Sequence, residues 1–331
     1  MNKKKVFIEI LPNFNECNPQ FVQWFQEQGY EVELCFSEGK DAVDEETFLK
    51  KFAGCDACIV CIHPVTVQMM NSAPNLKVIA EYGVGVDKID VPAATKRGIA
   101  VTNTAGGNAI AVAEMTIGHM LSLSRSIQLA NINMKSGIWK NYVGTEMHGK
   151  TYGLMGMGAI GEQVAKIAKF GMQMQILAYD VFPRQEYVEK YGVQYVDLDT
   201  LFKESDYISI HTPLLPSTKG IVNSKLIGKM KKTAIIVNAS RGGVLDENAL
   251  YDALEEKRIA GAGLDVYEHE PHCEGRFAKF SNVVNTCHMA GNTIDSIIRM
   301  GKTIQDNVFA TLERGSPECN ILNPDYLKNS F

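Results

Sequence analysis

The chain has 331 residues, enough for about two domains that each bury a core. Apolar residues make up 45% and charged residues 21%, an ordinary balance for a globular protein, and the net charge of −5 argues against a nucleic-acid or anionic-membrane partner. No run is long enough to span a bilayer, and eight thinly spread cysteines do not make a disulfide scaffold, so a reducing, cytoplasmic setting is expected.

The start, Met1-Asn-Lys-Lys-Lys-Val-Phe-Ile-Glu-Ile, has a basic flank, but its apolar stretch is broken by Glu9 and Pro12, too short for a signal peptide. Periodicity then places strands at Lys5–Leu11, Glu31–Phe36, Ala57–Ile62 and Lys77–Glu81, with helices at Asn18–Gln28 and Glu45–Phe52 between them. Cys55, Cys58 and Cys61 lie in or beside the third of these strands. Their spacing suggests a metal, but no fourth ligand is near, and no metal is expected. A helix at Val91–Arg97 precedes Ala100-Val-Thr-Asn, and Ala109–Ser126 reads as one long helix continuing to Trp139. From Thr151 the alternation restarts, with a helix at Glu162–Phe170 and strands at Gln175–Tyr179, Tyr207–His211, Ala234–Asn238, Gly261–Val266 and Val283–Asn285. A last helix, Ile294–Leu312, is expected to return to the first unit. Such alternation predicts an α/β protein with two doubly wound parallel sheets, joined by helices rather than by a flexible tether, and ligands in a cleft between them.

The second unit opens on Gly156, Gly158 and Gly161, spaced Gly-x-Gly-x-x-Gly, and the following apolar run ends at Asp180. In that pattern one glycine makes a tight turn, the second admits a pyrophosphate, and the third lets the helix pack close to its strand. The acid accepts hydrogen bonds from a ribose diol. Three later strand ends offer reactive groups: Arg241 in Val237-Asn-Ala-Ser-Arg-Gly-Gly, Glu270 in Leu264-Asp-Val-Tyr-Glu-His-Glu-Pro, and His288 in Asn285-Thr-Cys-His-Met-Ala-Gly. Carboxyl ends of strands face the ligand crevice of open sheets, so the three are expected to converge. An arginine fork grips a carboxylate, and a histidine moves a proton near neutral pH. A carboxylate beside that histidine fixes its tautomer. Singly, each residue reads as readily as a surface ion pair, a turn cap or a satisfied histidine.

Taken together, the segments from Lys77 to Ile294 resemble the D-isomer-specific 2-hydroxyacid dehydrogenases. The resemblance rests on Glu81-Tyr-Gly-Val-Gly-Val-Asp, Val101-Thr-Asn-Thr-Ala-Gly-Gly-Asn, Ala111-Val-Ala-Glu, the glycine segment, Ile210-His-Thr-Pro-Leu-Leu-Pro-Ser-Thr-Lys-Gly and the three chemical segments. It implies a discontinuous, flavodoxin-like substrate domain (1–104 with 292–331) and a Rossmann domain that binds NAD (105–291). Arg241 would then hold the substrate, His288 would be the acid/base, and Glu270 would orient and tune it. Gly156, Gly158, Ala159, Ile160, Gly161, Asp180, Thr212, Ala239, Asp265 and Gly291 would line the NAD cofactor, and the amides of Val84 and Gly85 would meet the substrate carboxylate. The family's helical arm, here about residues 108–150, implies a homodimer.

Two departures stand out. Cys287 replaces the proline that often precedes the catalytic histidine, and Val60–Met70 lacks the arginine of phosphoglycerate-type members, offering only His63. Small or apolar 2-oxo acids are therefore expected as substrates. A phosphoglycerate dehydrogenase without its regulatory domain and a dinucleotide-sensing corepressor-like protein are the alternatives. Formate dehydrogenase pairs its histidine with an amide, and Glu270 argues against it.

Overall fold

Five short runs rich in valine, isoleucine and alanine build the first sheet: β1 (Lys5–Ile10), β2 (Glu31–Phe36), β3 (Ala57–Val60), β4 (Val78–Glu81) and β5 (Ala100–Thr102). All pair in parallel, in the order β2-β1-β3-β4-β5. Every residue of β3 and β4 is buried, because helices cover both faces and leave no polar side to alternate with. One face packs on Phe21, Phe25, Ile304 and Val308, the other on Phe48, Phe52, Met69 and Met70. Cys55 and Cys58 belong to the second of these cores. The computed structural model describes residues 3–38, 43–271 and 275–329. Its chain divides into two units, Met1–Asn108 with Asn292–Phe331, and Ala109–Gly291.

The C-terminal return is the helix Ile294–Arg314, started by a capping box between Thr293 and Ser296 and packed on β4. Tyr82 Oη donates to the Ile297 carbonyl (2.8 Å), and the side chain of Asn323 ties the Val101 amide to the Ile99 carbonyl. The helix expected at Asn18–Gln28 is present as Gln20–Glu27, and a further helix, Pro12–Cys17, precedes it. Pro12, read from sequence as a break, sits in the first turn of a helix, where a missing N–H costs nothing.

The second sheet has seven parallel strands: β6 (Thr151–Met155), β7 (Gln175–Tyr179), β8 (Gln194–Tyr195), β9 (Tyr207–Ile210), β10 (Ile235–Asn238), β11 (Gly261–Leu264) and β12 (Val283–Asn285). Their order is β12-β11-β10-β9-β6-β7-β8, so the chain reverses direction across the sheet between β6 and β9. The helix Ala109–Ser124 packs against β10 and β11 within this unit. It does not continue to Trp139. Ser126 adopts a left-handed backbone (φ 53°), a second helix runs only over Ile127–Lys135, and residues 136–150 carry no helix. The helix after the glycines starts at Ala159, earlier than expected, and finishes in a wider π-type turn, Ile167–Gly171. Among the described residues no helix is long and apolar enough to cross a membrane.

Candidate active site

Gly156 follows β6 with φ +102°, and its amide donates to the Tyr179 carbonyl (2.8 Å). A Cβ there would lie 2.9 Å from the His211 carbonyl carbon and oxygen, and one on Gly161 would lie 2.2 Å from the Gly156 carbonyl. Only glycine allows these two approaches, which set β6, its turn and the helix from Ala159 so close together. A Cβ on Gly158 would meet nothing within 4 Å, so the helix start stays open to a ligand. Asp180 spans the turn, its Oδ2 accepting from the Met157 amide (2.7 Å) and its Oδ1 from the Phe182 amide (2.8 Å). Each oxygen keeps a lone pair for a ribose hydroxyl.

Two buried polar atoms beside this turn, His211 Nδ1 and Thr212 Oγ1, have no partner among the described residues. Tyr152 Oη donates to Ser209 Oγ (3.2 Å), which lies 2.7 Å from His211 Nε2. Burial pushes the His211 pKa down to about 3, which keeps the ring neutral. Ala239 and Ala290 form a small apolar cluster with Val112, and Ile160 packs against it. Open glycine turn, acid, orphaned polar atoms and apolar floor together fit a dinucleotide: NAD would be held by Gly156–Gly161, Asp180 and Thr212.

The reactive trio assembles within the second unit. Past β10, the buried Asn238 shapes the turn that carries Arg241. Its Oδ1 accepts from Ser240 N (3.1 Å) and Oγ (2.8 Å), and its Nδ2 donates to the Arg241 carbonyl (3.0 Å). A Cβ on Gly242 would fall 1.9 Å from the Tyr267 carbonyl carbon, so this glycine lets the arginine loop touch the loop of Glu270. Glu270 in turn accepts from the Tyr267 amide through Oε1 (3.0 Å) and from His288 Nδ1 through Oε2 (2.7 Å). Burial pushes the Glu270 carboxyl up, but the His288 hydrogen bond and charge, the Tyr267 amide and Arg241 together hold it below the usual carboxylate range. With Nδ1 committed to a carboxylate, His288 presents Nε2 for proton transfer.

Sequence reasoning missed what holds His288 in place. Its backbone is left-handed (φ 52°), and its amide donates to the Asp265 carbonyl (2.7 Å). The buried Asp265 carboxylate accepts from Thr286 Oγ1 (2.6 Å) and the Met289 amide (3.0 Å) through Oδ1, and from the Ala290 amide (2.9 Å) through Oδ2. It therefore clamps the histidine loop from both sides, with one lone pair of Oδ2 left over. Thr286 gives its only proton to Asp265, so it must accept from His119 Nε2, 3.1 Å away on the helix Ala109–Ser124. His119 is buried, and burial lowers its pKa, so it serves as a neutral donor. A signal existed: Gly263 has room for no Cβ, since one would lie 2.9 Å from that of His119. A histidine on an apolar helix opposite a strand glycine marks a polar contact at depth. Cys287 is exposed and free, and Gly291 closes the unit.

In the first unit, Val84 and Gly85 lie in the loop after β4, where the Val84 carbonyl accepts from Asn103 Nδ2 (2.6 Å) and the Gly83 carbonyl from the Thr104 amide and hydroxyl (2.8 Å each). His63 stacks on Phe48 (ring centroids 3.6 Å apart), with its nitrogens against the Pro64 carbonyl (2.9 Å) and Glu45 (3.1 Å). Its ring nitrogens are thereby engaged inside the protein rather than offered to a substrate. Lys88, outside Val60–Met70, reaches that segment by donating to the Ile62 carbonyl (2.9 Å).

Residues 117–290 match the family model of the D-isomer specific 2-hydroxyacid dehydrogenase NAD-binding domain. The chain is 39% identical over 314 residues to a glyoxylate reductase of Thermococcus litoralis, covering 92% of this chain and 94% of that one. It is 42% identical over 270 residues to a D-3-phosphoglycerate dehydrogenase of Synechocystis, covering 80% of this chain. The chain spans about half the length of that relative, 49%. Among solved structures, the apo form of D-lactate dehydrogenase from Escherichia coli superposes with a TM-score of 0.83 at 32% identity, covering 96% of this chain and 99% of that one. The chain belongs to the D-isomer-specific 2-hydroxyacid dehydrogenase family.

Proposed function

We propose that this protein is an NAD-dependent oxidoreductase interconverting a D-2-hydroxy acid and its 2-oxo acid. The observation that carries the reading is the His288–Glu270 contact of 2.7 Å, on a loop held against that of Arg241. When bound, NAD supplies the acceptor for the hydride leaving C2. In oxidation, His288 Nε2 takes the hydroxyl proton, and the Glu270 carboxylate stabilises the imidazolium that forms. In the reverse direction, protonated His288 donates to the carbonyl oxygen while Arg241 polarises that oxygen and grips the carboxylate. Arg241, Glu270 and His288 are the catalytic residues of this reading. Val84 and Gly85 bind the substrate carboxylate, and Gly156, Gly158, Ala159, Ile160, Gly161, Asp180, Thr212, Ala239, Asp265 and Gly291 line the cofactor. The unit Met1–Asn108 with Asn292–Phe331 is then the substrate domain, and Ala109–Gly291 the cofactor domain.

The preferred substrates are small or apolar 2-oxo acids of the glyoxylate, hydroxypyruvate or branched-chain kind, since Val60–Met70 contains no arginine or lysine. The working form is a cytoplasmic homodimer joined through the arm that follows Ser124. A panel of 2-oxo acids read by NADH absorbance tests the activity, and no turnover of any of them would overturn it. His288→Ala should lose most turnover while still binding NADH, and Arg241→Ala should raise KM as well as lower kcat. Glu270→Gln removes the charge that favours the imidazolium, so the loss of reductase activity with rising pH should set in at lower pH.

A further inference from the structure

In the first sheet the chain reverses direction between β1 and β3, the place where an open parallel sheet receives its ligand. Glu9, the penultimate residue of β1, stands there fully buried. Its Oε2 accepts from three successive amides just past β3, Cys61 (2.6 Å), Ile62 (3.2 Å) and His63 (3.4 Å). Its Oε1 accepts from the Ser37 hydroxyl. Consecutive amides curled round one oxygen make an anion-binding concavity of the kind that grips phosphate. Here it is filled by the protein's own carboxylate. A second buried acid, Glu81, ends β4 near the same loop. Burial first, and then the negative charges of Glu9 and Glu81, push the Cys61 thiol well above its ordinary value. The exposed Lys88 donates to the Ile62 carbonyl of this loop, and solvent screens its charge.

We propose that Glu9 is a specificity-determining residue: its carboxylate occupies the amide concavity that would receive an anionic substrate tail and confines the enzyme to 2-oxo acids whose tail is uncharged. The assignment rests on the dehydrogenase reading above and names its substrate class. A phosphoryl group brought to this loop finds the amides already taken and a buried negative charge behind them. A neutral tail, such as a hydroxymethyl or alkyl group, meets neither obstacle. Gln at position 9 keeps the acceptor oxygen and the shape while removing the charge, so it separates electrostatic exclusion from simple support of the loop.

The test compares catalytic efficiency for hydroxypyruvate and 3-phosphohydroxypyruvate in the unmodified protein and in Glu9→Gln. The unmodified protein should favour hydroxypyruvate by at least about tenfold, and Glu9→Gln should move the ratio toward the phosphorylated substrate by about tenfold or more, the scale of one charge-assisted contact. A latch without a specificity role would slow both substrates alike, and an unchanged ratio in folded Glu9→Gln overturns the proposal. Should that variant fail to fold, calorimetric binding of D-glycerate and 3-phospho-D-glycerate to the unmodified NADH complex decides the matter. Weaker binding of the phosphorylated ligand is the expected result, and equal or tighter binding overturns the assignment. Absence of turnover with every 2-oxo acid would instead overturn the dehydrogenase reading, while the binding comparison would still report on Glu9.

Discussion

At the scale of single residues, the proposed chemistry would reside in side chains that each do one job because a neighbour has removed their alternatives. His288 is directed by Glu270, but the loop that carries it is set by Asp265, Thr286 and His119. Thr286→Val removes the hydroxyl that links Asp265 to His119 and leaves a buried carboxylate oxygen and a buried N–H short of partners, at about 1–3 kcal/mol of stability. It should also lower kcat about tenfold, the effect of a small displacement of the proton-transfer group, while the KM for NADH stays nearly unchanged. His119→Leu should reproduce this fall, and His119→Gln, which still donates a hydrogen bond, should restore much of it. Equal activity of all three with the parent would show that the chain of contacts only fills space. Asp180 supports a second prediction. Its carboxylate repels a 2′-phosphate, and the exposed Val181 and Phe182 beside it offer no cation. NAD should therefore outperform NADP by at least ~1–3 kcal/mol in catalytic efficiency, and equal use of both cofactors would contradict the assignment. Arg241, Glu270, His288 and Asp180 could be proposed from the sequence because each sits in a short segment with a recognisable spacing. His119 and Glu9 were not, since their meaning depends on partners 167 and about 50 positions away, which only the fold brings together.

At the scale of elements, the alternation of apolar runs located the central strands within a residue or two, because fully buried parallel strands read as unbroken Val/Ile/Ala segments. Helices of a few residues, such as Val67–Ser72 or Ser224–Ile227, are too short to show a period, although side-chain caps at Thr66 and Asn223 start them. The apolar pattern past Ser124 continues, which is why one long helix was expected. The left-handed Ser126 ends it, a backbone state no composition announces. The arginine loop is the element whose position matters most. Gly242→Ala places a Cβ 1.9 Å from the Tyr267 carbonyl carbon, so backbone must move apart on one side or the other. A shift of about 1 Å between Arg241 and Glu270 should cost on the order of 100-fold in kcat/KM, with a lowered Tm. Full activity in Gly242→Ala would mean that the two loops need not touch.

At the scale of the whole molecule, the arm after the Ser126 break is the part of the chain whose surface does not suit water. Ile127, Ile132, Met134 and Ile138 are each about half exposed, Trp139 is 88% exposed and Val143 entirely so. The helix Ile127–Lys135 has no buried residue at all, so its stability cannot come from packing within its own chain. Exposed apolar side chains so concentrated in one segment mark an interface. A second copy of the chain presenting the same arm would cover them, and a two-fold contact pairs each patch with itself. The unmodified protein should sediment as a dimer. Trp139→Glu combined with Ile132→Glu would place two charges in the contact and two more across the symmetry axis, which should shift the population toward monomer at micromolar concentration and lower Tm. Because Arg241, Glu270 and His288 all lie outside the arm, NADH binding by the monomeric variant should persist even if turnover falls. A monomeric parent protein, or a double variant that remains a dimer with unchanged Tm, would remove the arm from the interface.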